Sequence, residues 1–444
     1  MIKQKVIILG AAGRDFHNFN VFFRKNRAYE VVAFTATQIP GIEGRNYPPE
    51  LAGRLYPNGI PILPEKDLED AIRKHDIDLA MMAYSDLKFA TVMHLGARAN
   101  AAGADFVMMG TRHTMIKSEK PVIAVCAVRT GCGKSQTSRF IARMLREKGR
   151  KVVSVRHPMP YGDLRRQAVQ RFASIRDCDK HKCTIEEREE YEAHIQEKGV
   201  IYAGVDYGKI LKRAEREADV IIWDGGNNDL PFYQPDLWIT VADPLRPGHE
   251  CSYYPGETNV RGADVIVIGK TNTAPQADVD KVIASCRELN PRARIVRVAS
   301  EVQADDPSVI RGKRVLVIED GPTLTHGEMA YGAGTVASKA LGATLVDPRP
   351  WARGTIAEVY RKFKQVGPIL PAMGYSPEQV QDLEETINAV DCDAVVIATP
   401  FDLRRLIKVK KPSVIVTYVH RDVEPDGGMK TVIEEFLRNG VRRS

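Results

Sequence analysis

Thr130-Gly131-Cys132-Gly133-Lys134-Ser135, followed by Gln136, gathers two glycines, a lysine and a hydroxyl into one short loop. Glycines let backbone N–H groups turn onto phosphate oxygens that a side chain would obstruct. Lys134 can then reach the terminal phosphates, and the Ser135 hydroxyl can sit on a divalent cation bound to them. Such a loop needs a buried strand before it and a helix after it, whose positive dipole end faces the anion. Both are present. Val122-Ile-Ala-Val-Cys-Ala127 is a continuous apolar run, and Phe140, Ile141, Met144 and Leu145 recur at helical spacing before a Gly149 stop.

The loop departs from the common Walker string, because Val128 occupies the first glycine position. Read with the basic Arg129 five residues before Lys134, it resembles the deviant P-loops of dimerising ATPases and GTPases, among them the partitioning ATPases and dethiobiotin synthetase. That resemblance implies a homodimer. Downstream, Trp223-Asp-Gly-Gly-Asn-Asn228 follows an apolar run, where a carboxylate holding Mg²⁺ belongs; Asp224 and Ser135 are the expected metal ligands. Gly269-Lys-Thr-Asn272 stands where GTPases of this class carry Asn-Lys-x-Asp. Loss of the guanine-reading carboxylate favours ATP. Thr130 to Gln136 are thus the expected nucleotide-binding residues, with Lys134, Arg129 and Asp224 the expected catalytic ones.

Three further loops carry groups suited to anions. Arg156-His157-Pro158 directly follows a strand-like run, and Asp243-Pro-Leu-Arg246-Pro-Gly-His249 repeats the theme. Arg14, His17 and Asn18 follow the Gly10-Ala-Ala-Gly13 turn. Guanidinium groups clamp phosphate bidentately, so these residues predict a polyanionic small-molecule substrate. The Gly10–Gly13 turn alone also admits an NAD-dependent oxidoreductase, but no acidic residue ends the next strand to hold a ribose. Cys178-x-x-His181-x-Cys183 lacks a second close ligand pair for zinc.

The elements that carry these loops divide the chain into a Rossmann-like N-terminal α/β domain (1–118), a central P-loop NTPase domain with a mainly parallel sheet (119–300) and a C-terminal α/β domain (301–444). Runs beginning Val6, Glu30, Leu79, Lys151, Asp219, Leu237, Asp264, Arg314 and Ala394 read as strands. Residues 165–200, with Glu186-Glu-Arg-Glu-Glu190, read as a charged helical insertion presenting a solvated face; a lid over the nucleotide is the alternative. At 444 residues, 43% hydrophobic and 27% charged, the composition is that of a soluble globular protein. No apolar run approaches the roughly 18–20 residues of a membrane span. Seven cysteines without a framework fit a cytoplasmic chain. The net charge of +7 suggests an anionic partner, yet its basic residues lack the aromatic interleaving of a nucleic-acid binder.

These motifs occur together with Tyr254-Pro-Gly-Glu-Thr-Asn259, Glu319-Asp-Gly-Pro-Thr323 and Pro371-Ala-Met-Gly-Tyr375. In that order they resemble the cyclic 2,3-diphosphoglycerate synthetase family along nearly the whole chain. The resemblance implies an ATP-dependent ligase that closes 2,3-bisphosphoglycerate into a cyclic phosphoanhydride, releasing ADP and phosphate. Lys134, Arg129 and Mg²⁺ would stabilise phosphoryl transfer, while Arg156, His157, Arg246 and His249, with Arg14 and His17, would hold the substrate phosphates. Two alternatives remain: a regulatory nucleotide switch, and ATP-dependent activation of another acidic molecule.

Overall fold

The structure is a computed structural model that describes residues 3–37, 42–159, 162–226, 229–374, 376–424 and 426–440. Asn227, Asn228 and Tyr375, each part of a motif above, lie outside the described residues. The N-terminal run of apolar strands forms a six-stranded sheet. Gln4–Leu9 lies between Tyr29–Ala36 and Leu79–Met82; Ile60–Pro64 and Asp105–Met108 extend it, all parallel, and Asn46–Tyr47 closes one edge antiparallel.

Strands from the rest of the chain join one 13-stranded sheet. Val122–Ala127 lies inside it, parallel to Val220–Gly225 on one side and Leu237–Ala242 on the other. Val152–Arg156 and Val200–Ala203 continue the first side, Val265–Ile268 and Arg294–Ala304 the second. The sheet does not stop there. Ser413–Asp422 pairs antiparallel with Arg294–Ala304 and parallel with Ala394–Ala398, which pairs with Arg314–Asp320. The portions before and after residue 300 therefore share a backbone hydrogen-bond ladder.

Two-sided burial explains the uninterrupted apolar strands. Ile123, Val125 and Ala127 pack with Ile141 and Leu145 of the helix Lys134–Glu147, whereas Val122, Ala124 and Cys126 face Tyr207, Trp223 and Phe232. Gly133 precedes that helix at φ 106°, a conformation open to glycine and strained for other residues. Among the described residues no helix is long and apolar enough to cross a membrane.

The 165–200 segment overturns the solvated-face expectation. It folds into Gln170–Phe172 and the helices Ile175–His181 and Ile185–Gln196, the latter opened by a Thr184–Glu187 capping box. Glu187, Glu189, Glu192 and His194 are buried, because the helix wedges between the central and C-terminal portions. Ile185 joins the C-terminal core, and Glu192 pairs with Arg188 at 2.8 Å and with Arg405. A charge run reads as solvated only while its partners are unseen.

Replacing Glu192 by Ala leaves two guanidinium groups short of their buried partner. Stability should fall by about 1.5–3 kcal/mol, read from denaturant midpoints; an unchanged midpoint would mean that this pairing does not anchor the helix.

Candidate functional site

A cleft of about 270 Å³ opens where both sheets present their carboxyl ends, the edge at which open α/β sheets bind ligands. The phosphate loop forms its floor through Arg129, Thr130, Gly131, Gly133, Lys134, Ser135 and Gln136. Ala11 to Asp15 of the N-terminal unit, His157 to Met159, and Glu187, Glu189, Glu190 and Tyr191 of the insertion helix form the walls, with Glu319, Asp320, Thr323 and Tyr331 from the C-terminal portion. Cys132 instead turns inward, its thiol 3.2 Å from Arg246 Nη2, and burial pushes that thiol up to about 11.

Behind the loop sits Asp224, fully buried at the end of its strand. Lys134 Nζ lies 3.1 Å from Oδ1, and Ser138 Oγ donates to the same oxygen at 2.5 Å. Arg156 Nη1 donates to Oδ2 at 2.6 Å, and His194 Nε2 is 3.3 Å from that oxygen. Burial alone would raise this carboxyl; Lys134 and Arg156 outweigh it and hold the group well below the usual carboxylate range. Arg156 also reaches Ser135 Oγ at 3.1 Å and Glu190 at 2.5 Å, while Ser135 Oγ donates to Glu190 at 3.3 Å. The guanidinium thus bridges Ser135 and Asp224, the two expected metal ligands. Together with Glu190 they form a hydroxyl-and-carboxylate donor set of the kind Mg²⁺ takes.

Arg129 is engaged on every side within its own chain. Its Nε donates to Asp86 at 2.8 Å and its Nη2 to the His326 carbonyl at 2.7 Å. The guanidinium lies 3.7 Å over the Tyr253 ring, and Nη1 is 3.3 Å from His249 Nδ1. Its side chain is 2% exposed. Asp86, Tyr253 and His326 belong to the N-terminal, central and C-terminal portions, so Arg129 fastens all three together.

The residues expected to bind substrate separate into two sets. Arg14, Arg156 and His157 line the cleft. His157 sits against two glycines: a Cβ on Gly13 or Gly226 would collide with its ring, and its Nε2 is 2.9 Å from Asp229 Oδ2. That imidazole covers the Gly13 turn where a pyrophosphate would have to approach. His17, Asn18, Arg246 and His249 do not line the cleft. His17 stacks on Phe232 at 4.0 Å and donates through Nε2 to Thr114 O at 2.5 Å; Asn18 is fully buried. Arg246 is spent on Asp243 and the Gly327 carbonyl, and His249 on Arg129. Asn272 bonds the Ser300 backbone at both its amide atoms, a structural role rather than base reading.

Glu187, Glu189 and Glu190, about fifty residues past the phosphate loop, were not among the expected site residues; only the alternative reading of residues 165–200, a lid over the nucleotide, put that segment near the loop. Asp229, five residues beyond Asp224 in one loop, was within reach of inspection. Two further carboxyls stand apart. Burial pushes Asp15 and Glu319 up to about 7, against backbone hydrogen bonds that oppose it.

A parallel α/β sheet with a phosphate loop on an inner strand and a buried carboxylate on the neighbouring strand defines a P-loop protein. Over 439 residues, 98% of each chain, it is 61% identical to the arginine synthetase ArcE of Thermococcus kodakarensis, and the chain belongs to that synthetase family. The cyclic 2,3-diphosphoglycerate synthetase of Thermococcus sibiricus is 22% identical over 237 residues, covering 50% of this chain and 54% of that one. The resemblance read from the motifs is therefore a distant relationship, corrected by the much closer one. Among solved structures, LpxK from Aquifex aeolicus in complex with ATP superposes with a TM-score of 0.43 and 14% identity, over 74% of this chain and 90% of that one. No family model matches.

Burial lowers His17 to about 3 from its ordinary 6.5, so the folded chain holds it neutral. A base with a depressed folded value contributes stability above its unfolded value and loses it as pH falls through the window between 6.5 and 3. The stability difference between the wild type and His17→Asn is expected to be full above pH 6.5 and to shrink toward pH 4. Denaturant midpoints across that range measure it; a pH-independent difference would reject a neutral, buried His17.

Proposed function

We propose that the chain is an ATP-dependent ligase that makes arginine by building its guanidinium group. The observation that carries this reading is a phosphate loop facing a wall of carboxylates, in a chain that matches an arginine synthetase from end to end. A cationic product suits such a wall. A polyanion does not: Arg156, Arg246, Lys270 and Arg129 are already paired with Glu190 and Asp224, Asp243, and Asp86, leaving few cations for two substrate phosphates. Closure of 2,3-bisphosphoglycerate, the reading its motifs suggested, has the weaker support of a relative matched over half the chain. A homodimer remains the assembly of the deviant P-loop class, but the arginine that would act across it is engaged in cis.

The chemistry needs two bonds to change in turn. The ureido oxygen of arginine's ureido counterpart attacks the γ-phosphorus of ATP, the bond to the β-phosphate oxygen breaks, and ADP leaves. A nitrogen nucleophile, in its simplest form ammonia, then attacks the activated carbon; the carbon–oxygen bond breaks and phosphate departs, leaving the guanidinium. The Gly131 and Gly133 backbone and Lys134 would hold the β- and γ-phosphates. Ser135, Glu190 and Asp224 would hold Mg²⁺, which neutralises charge on those phosphates when bound. Binding of nucleotide lets Lys134 exchange Asp224 for phosphate, while Arg156 and His194 keep the buried carboxylate paired. The insertion helix would meet the growing positive charge with Glu187 and exclude water from the activated carbon.

The test supplies Mg-ATP, an ammonium salt and the ureido amino acid, and follows ADP and arginine; a parallel reaction offers 2,3-bisphosphoglycerate. Equal yields of ADP and arginine are expected from the first mixture, and Lys134→Ala should reduce turnover by a factor of 10² or more. ADP release with 2,3-bisphosphoglycerate alone would overturn the arginine reading.

A further inference from the structure

Two side chains of the cleft wall, Arg14 and Asp229, each hold one buried charged atom without a hydrogen bond. Arg14 is 2% exposed; its Nη2 donates to the Met109 carbonyl at 3.2 Å, while Nη1 is buried without a hydrogen bond. Asp229 is 3% exposed; its Oδ2 lies 2.9 Å from His157 Nε2, while Oδ1 is buried without a hydrogen bond. Both residues line the cleft. Both also act on the carboxyl of Asp15 beside them, Asp229 raising it and Arg14 lowering it, which puts them in one neighbourhood.

An orphaned buried donor on a guanidinium, or acceptor on a carboxylate, is costly enough that such groups are normally satisfied. One orphan of each sign in a single cleft wall is complementary to a ligand that carries both signs on adjacent atoms. The phosphate loop does not need them, since Lys134 and the Gly131 and Gly133 backbone suffice to hold its anion. Their surroundings confine them: the Arg14 guanidinium lies 5.5 Å over the Tyr254 ring, and His157, wedged between Gly13 and Gly226, stands against Asp229.

We propose that Arg14 and Asp229 form the head-group site for an α-amino acid, Arg14 Nη1 binding its α-carboxylate and Asp229 Oδ1 its α-ammonium. This rests on the arginine reading of the same cleft and extends it by assigning which end of the substrate lies where. The head group sits where the N-terminal unit, through Arg14, meets the loop after Val220–Gly225, through Asp229, and the side chain runs toward the phosphate loop and the Glu187–Glu190 wall. Recognition of the α-carboxylate then comes from the N-terminal unit, and that of the α-ammonium, with the transferred phosphoryl, from the central one.

The experiment measures binding of three ligands to the full chain by calorimetry: arginine, agmatine, which lacks the α-carboxylate, and 5-guanidinopentanoate, which lacks the α-amino group. The wild type should bind arginine at least about tenfold tighter than either analogue. Arg14→Gln should erase the preference over agmatine and keep that over 5-guanidinopentanoate; Asp229→Asn should do the reverse. Arg14→Lys, which keeps the buried charge, serves if Arg14→Gln does not fold, and the wild-type series decides without any variant. Equal binding of all three ligands, or variants that lose both preferences together, would overturn the head-group site and leave the arginine reading standing. No binding of any guanidino compound would overturn the reading and the site with it.

Discussion

The structure turns on one carboxylate that water does not reach. Asp224 is ionised in the interior, where an uncompensated charge would cost several kcal/mol, and four side chains converge on it: Lys134 and Ser138 from the phosphate-loop helix, Arg156 from the next strand and His194 from the insertion helix. Compensation on this scale dictates architecture. It requires the 165–200 segment to come inward, because His194 must reach the carboxylate and Glu190 must balance the second face of Arg156. The acidic wall of the cleft follows from that requirement. Lys134, tied to Asp224 here, is also the one member of the knot that a phosphate could withdraw while leaving the remainder neutralised.

Arg129 plays a second, distinct part. In the sequence it stands where a catalytic cation would act outward from a deviant P-loop. In the fold it is the joint of three portions, stacked on Tyr253 and bonded to Asp86 and the His326 carbonyl. A planar guanidinium suits this use because its donors diverge in one plane while its face remains available to an aromatic ring. The same residue type at the same spacing can thus serve chemistry in one chain and assembly in another, and only its neighbours tell which.

What was legible in the sequence was local. The phosphate loop, its strand and helix, and the strands on either side all follow from periodicity and punctuation within about twenty residues. Arg156, His157 and Asp224 were found because each ends a strand of a parallel sheet, and such ends converge. What was illegible was distant. Arg405 lies 213 residues beyond the Glu192 it pairs with, and His420 lies 283 beyond the Thr137 it touches; no spacing rule spans such gaps. Arg246 and His249 misled for the complementary reason. Their loop has the composition of an anion clamp, but Asp243 and Arg129 had already taken them.

The antiparallel ladder between Arg294–Ala304 and Ser413–Asp422 has a consequence for the order in which the protein comes into being. The strand that brings His420 to the helix of the phosphate loop, and Tyr418 to the cleft, is made long after the loop itself. A nascent chain holding every motif of the nucleotide site still lacks part of that site's wall. Its long strand Arg294–Ala304 also waits with one edge unpaired, a template for another chain. Completion of the cleft and protection of that edge therefore arrive together, with the Ser413–Asp422 strand, so that a chain short of it has an incomplete site and an edge exposed to association.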